Sequence, residues 1–339
     1  MTVTFAVLAG GAATRFVDQE GGHQLLQRSI IGVPLVAEVA TSIPQYGDDV
    51  VVIDGSLALG ALFDRVVDVV RDAEWETRCW SSIQCALGAA DAQGSDWLVL
   101  VPGDVAGRTL ADWNAVLSAP GNVVMSSSAD GTGVALKVHR SRWRDLDGSR
   151  ETNLKAVAHD LGVDTMIPTS RDLVEVVTSR DVQRWHEAQT PSETDTDWIE
   201  GCLGRPMRSR FVVAARDARH RPSVIHNAPF FEDGTPMPTL YWLVDPQLSR
   251  RVGTLEATGA IDRLEAEFGL ETLAGLHERY RRQREWAIPS EYDGPRPDFG
   301  VGGTRRGIKC LHAHYAWYLA GGPDLVGEWV HRQLADAVL

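Results

Sequence analysis

Residues 5–16 read Phe5-Ala6-Val7-Leu8-Ala9-Gly10-Gly11-Ala12-Ala13-Thr14-Arg15-Phe16, an apolar run that passes into a small-residue loop closed by an arginine. The run Phe5 to Ala9 suits a parallel strand covered on both faces, and this assignment decides the fold class. Two consecutive glycines then let the backbone turn and come close to an anion. Arg15 adds a fixed positive charge whose fork matches phosphate oxygens. The loop lacks the third glycine of a dinucleotide fingerprint, and no Gly-Lys-Ser/Thr follows, so it is neither a G-x-G-x-x-G turn nor a P-loop.

Outward from this stretch, strands and helices alternate. Leu35 to Ser42 reads as a short helix, Asp49 to Asp54 as a buried strand, and Leu57 to Arg71 carries apolar residues at helical spacing. Ser81 to Ala92 reads as a helix with Ser81 or Ser82 as its N-cap, and Trp97 to Val101 as another buried strand. Further strands are expected over 122–127 and 133–138 and a helix over 153–161. The alternation predicts an α/β fold, a mostly parallel sheet with helices on both faces. Ligands of such sheets sit beyond the carboxyl ends of the strands, where Gly10-Gly11 and Gly103-Asp104 both fall.

The order of motifs adds a resemblance. Leu8-Ala9-Gly10-Gly11 with Arg15, then Gly22-His23-Gln24-Leu25-Leu26, Gly32-Val33-Pro34-Leu35-Val36, Ser81 to Leu87, and a strand ending in Pro102-Gly103-Asp104 stand in one sequence. Over residues 3–185 this resembles the nucleotidyltransferases of GT-A-type fold, most closely the molybdenum-cofactor guanylyltransferase-like (MobA-like) group. The resemblance implies that the loop Leu8, Ala9, Gly10, Gly11 and Thr14 wraps a nucleoside triphosphate, that Arg15 neutralises its phosphates, and that Asp104 holds Mg²⁺. It also implies that Ser82 lies near the base or ribose, although a plain N-cap explains that serine equally well. Two positions depart from the family pattern. Gln24 stands where the family has a lysine, and Val177 stands at the second metal position, with Glu175 two residues earlier.

Read without the family, Asp104 after Pro-Gly is a turn aspartate or a metal ligand. The glycine loop upstream favours the ligand, since phosphoryl and nucleotidyl transfer need a divalent cation and one carboxylate can hold Mg²⁺. The function expected is a Mg²⁺-dependent nucleotidyltransferase that moves a nucleoside monophosphate from an NTP to a small-molecule acceptor and releases pyrophosphate. Two alternatives stay open: a catalytically degenerate nucleotide-binding or regulatory module, motivated by Gln24 and Val177, and a GT-A glycosyltransferase using a sugar nucleotide, for which Asp104 lacks an Asp-x-Asp partner.

The polar stretch 189–197 reads as a linker, giving domains over 1–188 and 198–339, the second a smaller α+β domain. There, Phe211 to Ala215 is a strand candidate, a turn at Asp233-Gly234 runs into an aromatic strand, and helices are expected at about 248–268, 271–286 and 307–320. Leu203-Gly204-Arg205-Pro206, Asp233-Gly234-Thr235-Pro236-Met237-Pro238-Thr239-Leu240-Tyr241, Leu255-Glu256-Ala257 and Lys309-Cys310-Leu311-His312 make this half resemble the bacterial domain-of-unknown-function family five hundred and one. Sequences of that family tend to carry cysteine or histidine where this chain has Asp217 and Asp245, and share Cys310 and His312, so the resemblance implies a candidate zinc cluster of Asp217, Asp245, Cys310 and His312, all ligand types that tetrahedral zinc accepts; a buried thiol and a structural histidine are the plainer alternative.

Composition narrows the partners. The net charge of −13 sits mainly in the first half, where residues 1–190 hold 15 basic and 25 acidic side chains. Such a balance disfavours nucleic acid as a partner and requires a cation to help hold any nucleotide. Four cysteines without C-x-x-C spacing argue for reduced thiols. The sequence shows no apolar run of about 20 residues and no basic start of a signal peptide, so the expectation is a cytoplasmic protein without a membrane partner.

Overall fold

A computed structural model describes residues 2–10, 23–44, 49–63, 67–76, 80–151 and 153–336. The chain divides into two compact units, one of residues 1–27 and 34–185, the other of 28–33 and 186–339.

The first unit holds strands β1 Val3–Ala9, β2 Val50–Asp54, β3 Asp68–Arg71, β4 Trp97–Pro102, β5 Val105–Ala106, β6 Val123–Ser127, β7 Ala135–His139, β8 Thr165–Pro168 and β9 Val174–Glu175. Seven of them form one sheet in the order β3-β2-β1-β4-β7-β6-β8, and β5 pairs with β9 in a separate two-stranded ribbon. Within the large sheet only β7 runs against its neighbours. The expected mostly parallel sheet is therefore present, and its strand order reverses at β1, from which β2 lies on one side and β4 on the other. That reversal opens a crevice at the carboxyl ends of neighbouring strands.

Helices cover both faces: α1 Leu35–Ser42, α2 Gly60–Phe63, α3 Ser81–Ala92, α4 Leu110–Ser118, α5 Trp143–Gly148 and α6 Leu154–Leu161. On one side Ala6, Val51, Ile53, Leu98 and Leu100 pack with Ile83, Ala86 and Ala90 of α3. On the other, the Phe5 ring meets Trp113 of α4 edge-on at 5.7 Å. Alternate residues of β1 thus serve opposite faces, as an apolar run without a polar side requires. Burying side chains of the size of Trp113 or Ile53 stabilises the sheet by about 1.5–3 kcal/mol each.

The stretch 57–71 departs from its helical spacing. Among its described residues Gly60–Phe63 is helical, and Asp68–Arg71 is the edge strand, paired in register with Val51 to Asp54. Pairing along β2 satisfies the backbone of a segment whose valines suit a strand as well as a helix, and the Arg71–Asp54 ion pair at 3.1 Å pins its end.

The chain leaves the first unit within α7 Ser179–Gln189, and α8 Glu193–Leu203 follows with Ser192 as its N-cap. The stretch 189–197 is thus mostly helix end and helix start rather than irregular chain. In the second unit β10 Phe211–Arg216, β11 Pro222–Asn227 and β12 Tyr241–Leu243 form an antiparallel sheet. Beyond α8, four further helices follow among its described residues: α9 Pro246–Ala257, α10 Ala260–Trp286, α11 Leu311–Leu319 and α12 Leu325–Asp336. Gly269, at φ +74°, interrupts α10 between the two helical stretches expected there. This unit seals polar groups inside. Arg284 is fully buried and donates to the carbonyls of Pro297, Phe299 and Pro238. His314 Nδ1 lies 2.7 Å from Asp324 Oδ2, both side chains being 1% exposed or less.

Among the described residues no helix is long and apolar enough to cross a membrane.

Candidate active site

Three parallel strands end in acids around the crevice: Asp54 at the end of β2, Asp72 just beyond β3, and Asp104 just beyond β4. Between them β1 ends at Ala9 and Gly10. The Gly103 N–H donates to the Leu8 carbonyl at 3.0 Å, which ties the β4 end to the β1 end, so the two segments expected to meet across 90 residues of sequence do meet.

Gly10 is where it is because nothing larger fits. A Cβ there would stand 2.5 Å from Ser82 Oγ, and a Cβ on Gly55 would stand 2.2 Å from the Gly10 carbonyl oxygen. The backbones of β1 and β2 therefore touch at the crevice floor, with the N-terminus of α3 closing it.

Ser81 and Ser82 do not cap α3, whose N-cap is Trp80 with no side-chain bond. Both hydroxyls donate instead to Asp72 Oδ2, at 2.7 and 2.8 Å, while Asp72 Oδ1 accepts from the Glu74 N–H at 3.0 Å. Asp72 is 1% exposed, and this set of donors offsets the cost of burying its charge. Burial, with the nearby charges of Asp72 and Glu74, pushes the Cys85 thiol up, so this α3 cysteine is a neutral thiol. Asp54 Oδ2 accepts from Leu59 N–H and Arg71, whereas its buried Oδ1 has no hydrogen-bond partner among the described residues.

Asp104 is half-buried, and Gln24 Nε2 donates to its Oδ2 at 3.0 Å. Gln24 begins a single 3-10 turn, Gln24–Leu26, with Leu25 buried. His23 precedes it, Nδ1 accepting from Leu25 N–H at 3.2 Å and Nε2 lying 3.3 Å from Ser56 Oγ. With Nδ1 accepting, His23 is the tautomer that carries its proton on Nε2 and donates to Ser56. Behind Asp104, its carbonyl accepts from the Val176 N–H at 2.9 Å and Val105 pairs with Glu175.

Of the residues expected at the site, Leu8, Ala9, Gly10, Gln24, Ser82 and Asp104 stand around this crevice. Gly11, Thr14 and Arg15 lie outside the described residues. Sequence reading passed over Asp54, Asp72 and Ser56. Asp54 alone carried a sequence signal, an acid closing an apolar strand much as Asp104 follows one; Asp72 and Ser56 carried none.

The zinc cluster of the second unit does not form. Asp217 accepts from the Arg221 guanidinium at 2.7 and 2.9 Å, and Asp245 caps α9 through the N–H groups of Gln247 and Leu248. His312 Nδ1 lies 3.1 Å from Glu256 Oε1 and its Nε2 3.0 Å from the Ser249 carbonyl. Burial pushes the Cys310 thiol up, away from the thiolate that zinc takes. Among the described residues no group of three or more His, Cys, Asp or Glu could hold a metal ion. Each member instead serves the fold around it, as an ion-pair partner, a helix cap, a helix-to-helix tie or a buried thiol.

Comparison with known proteins gives no match among curated sequences. Solved structures similar to the chain include a nucleotidyl transferase from Methanothermobacter, at 21% identity and a TM-score of 0.45 over 55% of this chain and 97% of that one. A protein from Mycobacterium sp. strain JC1 is similar at 22% identity and a TM-score of 0.44, covering 55% and 96%. A cytidylyltransferase from Leptospira borgpetersenii follows at 17% identity and 0.36, covering 51% and 78%. Residues 213–332 match the model of a protein family of unknown function, DUF501, and residues 5–164 match that of the MobA-like NTP transferase domain, as the motifs of each half led one to expect.

Proposed function

We propose that the first unit is a divalent-cation-dependent nucleotidyltransferase whose reaction takes place between the ends of β1 and β4. One observation carries the reading: a carboxylate, Asp104, stands at the end of β4 beside the glycine end of β1, in register through the Gly103–Leu8 hydrogen bond of 3.0 Å. The match of residues 5–164 to the MobA-like NTP transferase domain supports it.

The donors at this place fit a hard cation. Mg²⁺ prefers oxygen ligands and is commonly held by one or two carboxylates, with water and phosphate completing its shell. Asp104 supplies a carboxylate, and the neighbouring Gln24 supplies a neutral amide rather than a competing charge. When bound, the cation offsets phosphate charge and helps the pyrophosphate leave.

The chain's own residues do the rest by position. At Gly10 and Gly55 main chain packs on main chain, and Ser82, held by Asp72, presents a fixed hydroxyl at the edge of the crevice. Gly11, Thr14 and Arg15 belong to the same proposal, with Arg15 as the charge that meets the phosphates. The substrate class is a nucleoside triphosphate with a small hydroxylated or phosphorylated acceptor.

Pyrophosphate release tests this. Purified protein is incubated with each NTP, Mg²⁺ or Mn²⁺, and a panel of sugar phosphates and alcohols. Cation-dependent release with one NTP, lost in Asp104→Asn, is the expected result. Thermal stabilisation by nucleotides is the parallel assay, and an unchanged melting point with every nucleotide and cation would sink the proposal.

A further inference from the structure

Asp104 is met by a side chain 80 residues away, and the way that side chain is held suggests a role beyond a hydrogen bond. Gln24 is the first residue of a single 3-10 turn that is held on its N-terminal side and at its middle. Its N-terminal side is pinned by His23, bonded to Leu25 N–H at 3.2 Å and to Ser56 at 3.3 Å. Its interior is pinned by Leu25, 3% exposed, whose Cδ2 would lie 3.5 Å from a Cβ built on Gly103, the residue directly before Asp104. Two neutral contacts and one buried leucine thus set the amide at 3.0 Å from the carboxylate.

An amide is a reversible partner for a carboxylate. With Nε2 toward Asp104 it donates to the anion. Turned by half a rotation about its last bond, it presents Oε1 at nearly the same point, as the near-identical shape of the two ends allows. A cation arriving at Asp104 repels the N–H end and attracts the oxygen end. An ammonium in this position could make only the first contact and would compete with the cation for the same oxygens.

We infer that Gln24 and Asp104 together form a two-oxygen seat for a divalent cation, the amide turning to contribute Oε1, so that the cation binds before any nucleotide arrives. This inference rests on the functional reading above and deepens it by assigning an order of binding and a second ligand residue. The chemistry selected is a hard divalent ion such as Mg²⁺ or Mn²⁺, since a carboxylate and an amide oxygen are both hard donors.

The test is Mn²⁺ titration of the full-length, nucleotide-free protein, followed by electron paramagnetic resonance of the free ion. Wild type is expected to bind one Mn²⁺, and Asp104→Asn to lose it. Gln24→Ala should weaken binding about tenfold, a loss of the size seen when a supporting ligand is removed. Gln24→Glu should tighten binding, and Gln24→Lys should weaken it more than alanine does. The glutamate variant keeps the side chain's length, the lysine variant extends it by one carbon, and the two predict opposite directions, so they decide the matter even if the alanine variant folds poorly. Binding by Gln24→Ala or Gln24→Lys equal to wild type overturns the seat, as does a wild-type protein that takes up no Mn²⁺ alone. Repeating the titration with NTP separates the two levels. Asp104-dependent Mn²⁺ uptake only with nucleotide overturns the inference and leaves the proposed function standing, whereas uptake that ignores Asp104 under both conditions removes the proposed function as well.

Discussion

The crevice of the first unit and the core of the second treat polar side chains in opposite ways. In the crevice, Asp54, Asp72 and Asp104 all stand at strand ends, where the sheet's buried interior stops, and their charge is met by hydroxyls, amides and one half-exposed arginine. In the second unit, Arg284, His314 and Asp324 are enclosed among Tyr280, Trp317 and the facing helices α10 and α11, with exposure near zero. Asp54 and Asp72 are as buried as the second unit's groups, but Asp104 is half-buried at the rim, where a ligand can replace a neighbour. Sealed groups have nowhere to turn, and their hydrogen bonds define one packing. The contrast teaches that burial of charge alone does not mark a reactive site. The partner set does.

The largest expected effect comes from unsealing the second unit. Asp324→Ala leaves the buried His314 ring without its partner and opens space beside α11; it should cost about 3–5 kcal/mol, read by urea denaturation as a fall in midpoint for that unit. A change under 1 kcal/mol would mean that the pair is dispensable and the contrast is overdrawn.

Next is the crevice floor. Gly55→Ala drives a methyl group into the Gly10 backbone and should cost about 1–3 kcal/mol while abolishing nucleotide binding. Gly10→Ala meets the Ser82 hydroxyl instead, so Gly10→Ala combined with Ser82→Gly should recover part of the lost stability. A double-mutant cycle without coupling would contradict the packing described.

Asp104→Asn sharpens the comparison from the other side. As a rim residue it should lower stability by less than about 1 kcal/mol, measured by thermal melting, yet remove the cation dependence of nucleotide binding. Retained cation dependence would move the reaction elsewhere.

The smallest effect is at Thr109, which caps α4 in a reciprocal box with Asp112. Burial raises the Asp112 carboxyl, but hydrogen bonds from Ser170 and Thr109 outweigh it and hold the group below its ordinary value. A carboxyl lowered on folding contributes stability above its unfolded value of about 3.9, and loses it as pH falls through the folded value. Thr109→Ala should therefore cost about 1 kcal/mol at pH 7, and the gap between variant and wild type should narrow on acidification below about pH 4. A gap independent of pH would separate the cap from Asp112.

What was legible in the sequence follows the same division. The runs Phe5 to Ala9, Val50 to Asp54 and Trp97 to Val101 had to be covered strands because no polar side remained to face water, and helix α1 falls on the residues expected. The edge strand Asp68–Arg71 was hidden, since its valines satisfy a helical and an extended period alike and only pairing along β2 chooses. Ser81 and Ser82 look like caps because a hydroxyl before a helix is the same signal whether it turns to its own N–H groups or to an aspartate ten residues back. Asp72 was silent for the complementary reason: its partners are near in space and its neighbours in sequence are ordinary. In the second unit, the ligand types at Asp217, Asp245, Cys310 and His312 carried a chemical suggestion, but side chains that can hold zinc also suit helix caps and ion pairs, and only geometry tells the two apart.

The contact between Gly10 and Gly55 has a consequence for how this crevice can vary. Its floor is made of main chain, whose position is set by the β1–β2 register and not by any side-chain rotamer. A substitution among the surrounding walls can therefore change what is recognised while the height of the floor stays constant. On the proposed function, a change at Ser82, Ser56 or His23 alters a wall beside the nucleotide and leaves the Gly10–Gly55 contact in place. The two glycines tolerate no such exchange, since a methyl group on either would stand within 2.5 Å of a neighbour.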